Sequence, residues 1–218
     1  SLYDLFPNYE ASLDARIHAC LDAGCDGVEI SNGPQGILDW QPSKDTLTRL
    51  RRSVVTIHAE LDTRHAVPEL LRKIYNVGLP IYNITFHPDE ITLNSNEALA
   101  HLMLEAGFSV ENMDNTRHNW RTPQEVFNYW RSSWTFDTAH AMEFGLTYSD
   151  FAKVLKPCRE VHLSLSNAFG KHLPTLADPS WFPEVPDCDL IVLEGRFASV
   201  ASLQAEVAYV RGRISKGG

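Results

Sequence analysis

The chain contains no C-x-x-C pair, no G-x-S-x-G, no Gly-Lys-Ser/Thr loop, no G-x-G-x-x-G and no H-E-x-x-H. These absences leave no sign of a nucleophile-elbow hydrolase, a P-loop or dinucleotide-binding enzyme, or a zincin protease. Positive charge is also in short supply. Nineteen Lys and Arg against 28 Asp and Glu give a formal charge of −9, which argues against a broad phosphate-binding surface. Bound cations would offset part of that charge where it is concentrated. There is no run of about 18 apolar residues, no charged-then-apolar leader and no low-complexity tract, so the expectation is a soluble, cytoplasmic protein without a membrane partner. The four cysteines, Cys20, Cys25, Cys158 and Cys188, read as reduced, mostly buried thiols.

Seven short apolar runs are present, and each ends on or beside a polar or ionisable residue. They are Gly27–Ser31 (with Glu29), Val54–His58, Ile81–His87, Phe108–Glu111, Trp134–Asp137, Val161–Ser164 (with His162) and Leu190–Glu194. Their ends recur at roughly 24 to 32 positions, the length of one strand plus one helix. Apolar residues at helical spacing fill the gaps: Ala11–Ala23 stopping at Gly24, a helix opening at Ser43, then Glu69–Asn76, Asn96–Glu105, Pro123–Trp130, Ser149–Leu155 and Val200–Arg211. Runs rich in Val, Ile and Phe suit parallel strands buried on both faces. With 44% apolar residues over 218 positions, the pattern predicts a single α/β domain over residues 1–218, a (β/α) TIM barrel with seven clear strands. Its first strand either lies upstream or is reduced to an N-terminal stub at Ser1–Leu5. The Pro-rich stretch Asn167–Cys188 lacks helical periodicity and reads as a long functional loop over the strand ends.

Parallel strands bring their C-terminal ends to one face, so His58, His87, Glu111, Asp137, His162 and Glu194 would form a ring around a common axis. His140 and His172 follow closely in sequence. So many ionisable groups gathered at one depth call for a cation. Imidazole and carboxylate without thiolate suit one or two divalent transition ions, Zn²⁺ or Mn²⁺ first, with two ions sharing a carboxylate. Glu29 is expected in a salt bridge with an Arg or Lys, and Ser164 on the face of His162. Arg117 or Arg121 would hold a substrate phosphate, with Trp120 as a wall. Trp40 and Trp181-Phe182 would line a pocket or pack in the core.

At these residues the chain resembles the xylose isomerase-like TIM-barrel superfamily, which includes sugar isomerases, epimerases and endonuclease IV. The resemblance runs from Gly24 to about Phe197. It rests on D-G-V-E-I-S (Asp26–Ser31), I-H-A (Ile57–Ala59), F-H-P (Phe86–Pro88), V-E-N-M (Val110–Met113), F-D-T-A-H-A (Phe136–Ala141), V-H-L-S (Val161–Ser164), K-H-L-P (Lys171–Pro174) and L-E-G (Leu193–Gly195). It implies a metal centre at Glu111, Asp137, His162 and Glu194. His58 and His87 resemble ligands that share Glu111 with a second ion, and His140 and His172 resemble ligands of a third. The chain departs from the pattern at Gly170, where an Asp ligand is usual, and at Thr175–Asp178, where Gly-Glu-Gly often stands. Arg117, Trp120 and Lys171 are the candidate substrate contacts.

Two activities follow from the resemblance. An isomerase or epimerase of a small sugar or sugar phosphate would use Glu111 and Glu194 to move a proton, with His140 on a substrate oxygen. A multi-zinc phosphoester or phosphodiester hydrolase would employ His58 and His87 directly, with nucleic acid as the less favoured partner on charge grounds. The first is the leading expectation. A metal-binding barrel without activity is the third, and a homo-oligomer is compatible with each.

Overall fold

The computed structural model describes residues 12–31, 36–59, 66–87, 107–116, 121–129, 133–166 and 172–215. The first helix, α1 (Leu13–Asp22), opens where the Ser12 hydroxyl accepts the Ala15 N–H at 3.3 Å, supplying one of the partners a helix start lacks. Leu13, Ile17 and Cys20 recur at helical spacing and face the core. The helix ends at Ala23, and Gly24 takes a positive φ of 92°, a conformation that favours glycine at the turn into β1 (Gly27–Ser31). Gly27 has a second reason to be glycine: a Cβ there would lie 2.0 Å from the Val54 carbonyl oxygen.

The succession continues with α2 (Lys44–Leu50), capped by Ser43 on the Thr46 N–H, then β2 (Val54–Ala59), α3 (Ala66–Val77), β3 (Ile81–Phe86) and β4 (Phe108–Glu111). After these come α4 (Pro123–Tyr129), β5 (Trp134–Asp137), α5 (Thr138–Glu143), α6 (Tyr148–Ala152), β6 (Glu160–Leu163), β7 (Leu165–Ser166), β8 (His172–Leu173), a 3₁₀ turn (Thr175–Ala177), β9 (Leu190–Leu193) and α7 (Val200–Ile214). Seven strands form one sheet in the order β1-β2-β3-β4-β5-β6-β9, parallel at every joint. Outward residues such as Ile30, Ile57, Ile84, Val110, Phe136 and Val161 are buried, and two apolar clusters surround the sheet. The result is a parallel, nearly closed, barrel-like sheet in an α/β protein.

Closure is incomplete between β1 and β9. No backbone pairing joins them, and a cleft of about 350 Å³ lies along the seam, lined by residues of both strands together with Cys20, Cys188, Leu203 and Val207. Arg211 of α7 reaches across to the Gly24 carbonyl and the Asp26 carboxylate, at 2.9 and 2.7 Å.

The strand expectations match the observed elements to within a residue or two. Two readings, the Ser1–Leu5 stub and the Asn96–Glu105 helix, lie outside the described residues. The structureless loop over Asn167–Cys188 needs correcting for the part that is described. His172–Leu173 folds back as β8 against β7, antiparallel, and the Glu206 carboxylate accepts the N–H groups of Thr175 (2.6 Å) and Leu176 (3.0 Å). The loop's prolines hid this because the anchoring carboxylate comes from α7, far along the chain. Among the described residues no helix is long and apolar enough to cross a membrane.

Candidate metal centre

Every ring residue named from the sequence arrives at one place, and Glu111 is its hub. Its Oε2 lies 3.1 Å from His58 Nε2 and 3.5 Å from His87 Nε2; its Oε1 lies 3.2 Å from His162 Nδ1 and 3.5 Å from His140 Nδ1. Glu194 follows β9 and spans the next gap, with Oε1 3.3 Å from His162 Nδ1 and Oε2 3.0 Å from His172 Nδ1. The strand register explains the convergence. Asp137 is paired with His162 across β5 and β6, and Glu194 comes one residue after the Leu163–Leu193 pair.

Local structure aims each donor. Asp137 is the N-cap of α5: its Oδ1 accepts the His140 N–H at 2.7 Å, while Oδ2 is buried without a hydrogen-bond partner. The Asn112 side chain clamps the Asp137 backbone from both sides, accepting its N–H (2.8 Å) and donating to its carbonyl (3.0 Å). The Asn112 carbonyl lies 2.8 Å from His140 Nδ1, so that nitrogen carries the proton and Nε2 is left for an ion. Ser164 stands where the sequence suggested, its Oγ 3.1 Å from His172 Nδ1.

Five overlapping groups have ligand atoms within 4.8 Å of one another: three of ring residues alone, His58–Glu111–His162, Glu111–Asp137–His162–Glu194 and Asp137–His140–His172, and two that include Glu29, with His58 and Glu194 or with Glu160 and His162. The residues fit transition metals. The donors are imidazoles and carboxylates, almost all buried, and the orphaned Asp137 oxygen points to a missing partner. Titration behaviour agrees. Burial would lower the pKa of His58 and His172, but the facing carboxylates push both up to about 10. Burial alone would raise Glu111 and Glu194, yet the charge of His162 holds both well below the usual carboxylate range. For Asp137 burial wins, and its carboxyl rises to about 7. Without a cation, the site holds its carboxylates only by keeping protons on its imidazoles.

A polar layer lies directly beneath the ring, and the sequence reading missed most of it. Thr56, Thr85, Ser109, Thr135 and Glu160 are all buried, one strand pleat before the ring residues, and Asn83 is buried one pleat deeper. Asn83 donates to Ser109 Oγ (2.7 Å) and to Glu160 Oε2 (2.6 Å), and Ser109 Oγ lies 2.6 Å from Thr135 Oγ1. Glu29 belongs here too. It was expected beside an Arg or Lys; instead its Oε2 lies 3.2 Å from His162 Nε2, with Glu160 Oε1 at 3.3 Å from the same nitrogen. Two carboxylates thus hold the Nε2 side of His162 and turn Nδ1 toward the ring. This is the outer-shell support that metal-binding histidines use. Glu160→Ala is therefore expected to weaken transition-metal affinity about 10- to 100-fold, measured by competition with a chromophoric chelator. Unchanged affinity would show that His162 needs no such support.

Other sequence candidates lie elsewhere. Arg117, Trp120 and Lys171 are outside the described residues. The Arg121 guanidinium sits over the Phe144 ring, 5.8 Å from its centroid, and its backbone N–H donates to Glu125. Trp40 packs in the core and donates to Asp14 at 2.7 Å, and Phe182 packs edge-on against Tyr209 of α7. Comparison with known protein families and with curated proteins finds no match for the chain.

Proposed function

We propose that this chain is a xylose isomerase-like TIM barrel and acts as a multi-metal hydrolase of phosphoesters. One observation carries the reading. His58 and His87 face Glu111 on one side of the ring, while His140 and His172 gather with Asp137 on the other. A single-ion isomerase needs only the four central ligands, Glu111, Asp137, His162 and Glu194. We therefore place the hydrolase ahead of the isomerase. Seven donors in three overlapping groups, with His87 beside Glu111 at 3.5 Å, suit two or more ions sharing Glu111 and Asp137.

The ions would supply an activated water and neutralise the phosphoryl oxygens. The chain's own residues do the rest. Glu111 ties the two halves of the ring, Asn112 and the α5 start fix Asp137 and His140, and the Glu29–Glu160 pair orients His162. The side chains of His87 and His172, 12% and 20% exposed, are more open than those of His162 and Asp137, both 0%. Substrate therefore approaches on their side. A net charge of −9 favours a small phosphoester over a long nucleic acid.

Isomerisation of a sugar or sugar phosphate is the second reading, favoured by the placement of Glu111 and Glu194 within 3.2 and 3.3 Å of one His162 nitrogen. Two carboxylates flanking one ion would suit removal and return of a proton. Metal content per chain, cleavage of bis(p-nitrophenyl) phosphate and solvent-deuterium incorporation into ketoses together decide. The expected result is two or more ions, one of them released by His58→Ala, with phosphoester cleavage and no deuterium uptake. One ion with deuterium uptake would establish the isomerase instead. A metal-free, inert protein would defeat both.

A further inference from the structure

Cys158 and Cys188 are 30 positions apart in sequence and take no part in the metal centre, but the sheet sets them face to face. Each stands two residues before a strand, Cys158 before β6 and Cys188 before β9. Those strands are neighbours in parallel register, with Glu160 opposite Leu190, so counting back two residues on each places the cysteines opposite one another. Neighbouring strands run about 4.8 Å apart, inside the roughly 4.4–6.8 Å between Cα atoms that a disulfide spans. Both side chains pack in the same apolar cluster, where Cys188 Sγ donates to the Leu190 carbonyl at 3.3 Å. Cys158 is buried in the apolar cluster outside β5 and β6, while Cys188 is half-buried and lines the seam cleft, where a small reagent can reach it.

We propose that Cys158 and Cys188 are a reversible covalent modification site, closed to an intramolecular disulfide by a low-molecular-weight disulfide such as oxidised glutathione. The Cys188 thiolate attacks one sulfur of the reagent, forming a mixed disulfide and expelling one thiolate, which takes up a proton. Cys158 then loses its proton and attacks the Cys188 sulfur, forming the Cys158–Cys188 bond and releasing the second thiol. Two protein thiols are oxidised and one reagent disulfide is reduced to two thiols, so the electrons balance. Cys188 is the entry point because it faces the cleft. The Cys158 thiol, pushed up by the neighbouring Cys188 and by burial, resolves the adduct. Cys20 and Cys25 also line the cleft, but burial raises both of their thiols, Cys20 to about 12, whereas that of Cys188 is lowered. The new bond would fix the spacing of β6 and β9 at their base, below His162 and Glu194.

The test uses the full chain as purified, exposed to oxidised glutathione and then, in denaturant, to N-ethylmaleimide, with intact-mass and peptide analysis. The expected product is lighter by about 2 Da before alkylation. It carries two alkylated thiols, Cys20 and Cys25, of the four present, with a linked peptide joining Cys158 to Cys188. A reducing thiol should restore all four. Cys158→Ser should trap one glutathione on Cys188, and Cys188→Ser should give no linkage. Four alkylated thiols after oxidation, or a linkage that includes Cys20 or Cys25, would overturn the proposal. The wild-type peptide map decides even if a variant fails to fold, and it is independent of the reaction the metal centre performs.

Discussion

Glu111→Ala is expected to strip the protein of bound metal and, for the hydrolase proposed above, to lower phosphoester turnover about 100- to 1000-fold, the scale on which preorganised electrostatic groups act in catalysis. The size of the effect follows from position. Four imidazoles lie within 3.5 Å of this one carboxylate, and it belongs to two of the three ring donor groups. Among the described residues no other carboxylate pairs with so many: within 4 Å Glu194 pairs with His162 and His172, and Asp137 with His140 and His172. Removing one partner from a buried charged network costs about 3–5 kcal/mol, so thermal unfolding should also begin about 10 °C lower. Metal analysis and calorimetry on the same preparation check both parts. A variant that keeps its full complement of ions would show that Glu111 is not a shared ligand.

Chelation should act on the wild-type protein in a related way, with a pH dependence whose sign is fixed. Free ion at about 1000 times its Kd adds about 4 kcal/mol to the folded state, equivalent to about 10 °C in a chain of this size. In the metal-free fold, His58 and His172 titrate near 10 against 6.5 for an ordinary imidazole. Folding then binds protons, so this contribution is complete below about pH 6.5 and disappears as pH rises through about 10. Asp137, raised to about 7, weakens the metal-free fold in the same direction, between its ordinary 3.8 and 7. Metal binding runs the other way. Ligation requires neutral imidazoles and an ionised Asp137, so uptake expels these protons and tightens as pH increases. The gap between loaded and chelated unfolding midpoints should widen steadily from pH 6.5 to 9, as scanning fluorimetry with and without dipicolinate would show. A constant or shrinking gap would mean that protons and ions do not compete for these side chains.

The ring was legible in the sequence because parallel strands place their C-terminal ends on one face, so a strand-final His, Glu or Asp needs no further information to be located. His58, Glu111, Asp137, His162 and Glu194 all came from that rule, and His140 and His172 from proximity to it. The polar layer beneath was equally accessible in principle. Two residues before each of His58, His87, Glu111, Asp137 and His162 stand Thr56, Thr85, Ser109, Thr135 and Glu160, on the same strand face. A barrel interior is ordinarily filled by Val, Ile and Leu, so this polar series was itself a signal. Glu29 was misassigned because its partner, His162, lies across the unpaired seam, which sequence order does not show. The fold-back of His172 and the anchoring of Thr175 by Glu206 depend on α7, beyond the reach of local pattern. Asn112 was given no role of its own in the sequence, and only the packing of β4 beside β5 reveals it as the clamp on Asp137.

The line where β1 and β9 fail to pair also shapes what evolution can do with this molecule. Elsewhere neighbouring strands are sewn together by main-chain amides, which any sequence provides. At that boundary side chains do the joining: Glu29 reaching His162 beyond β9, Arg211 holding the turn before β1, and Leu193, Leu203 and Val207 packing in one apolar cluster with Val28. Chemistry and architecture are therefore held by some of the same atoms. A descendant would need a new way of fastening its own circumference before it could let those charges go.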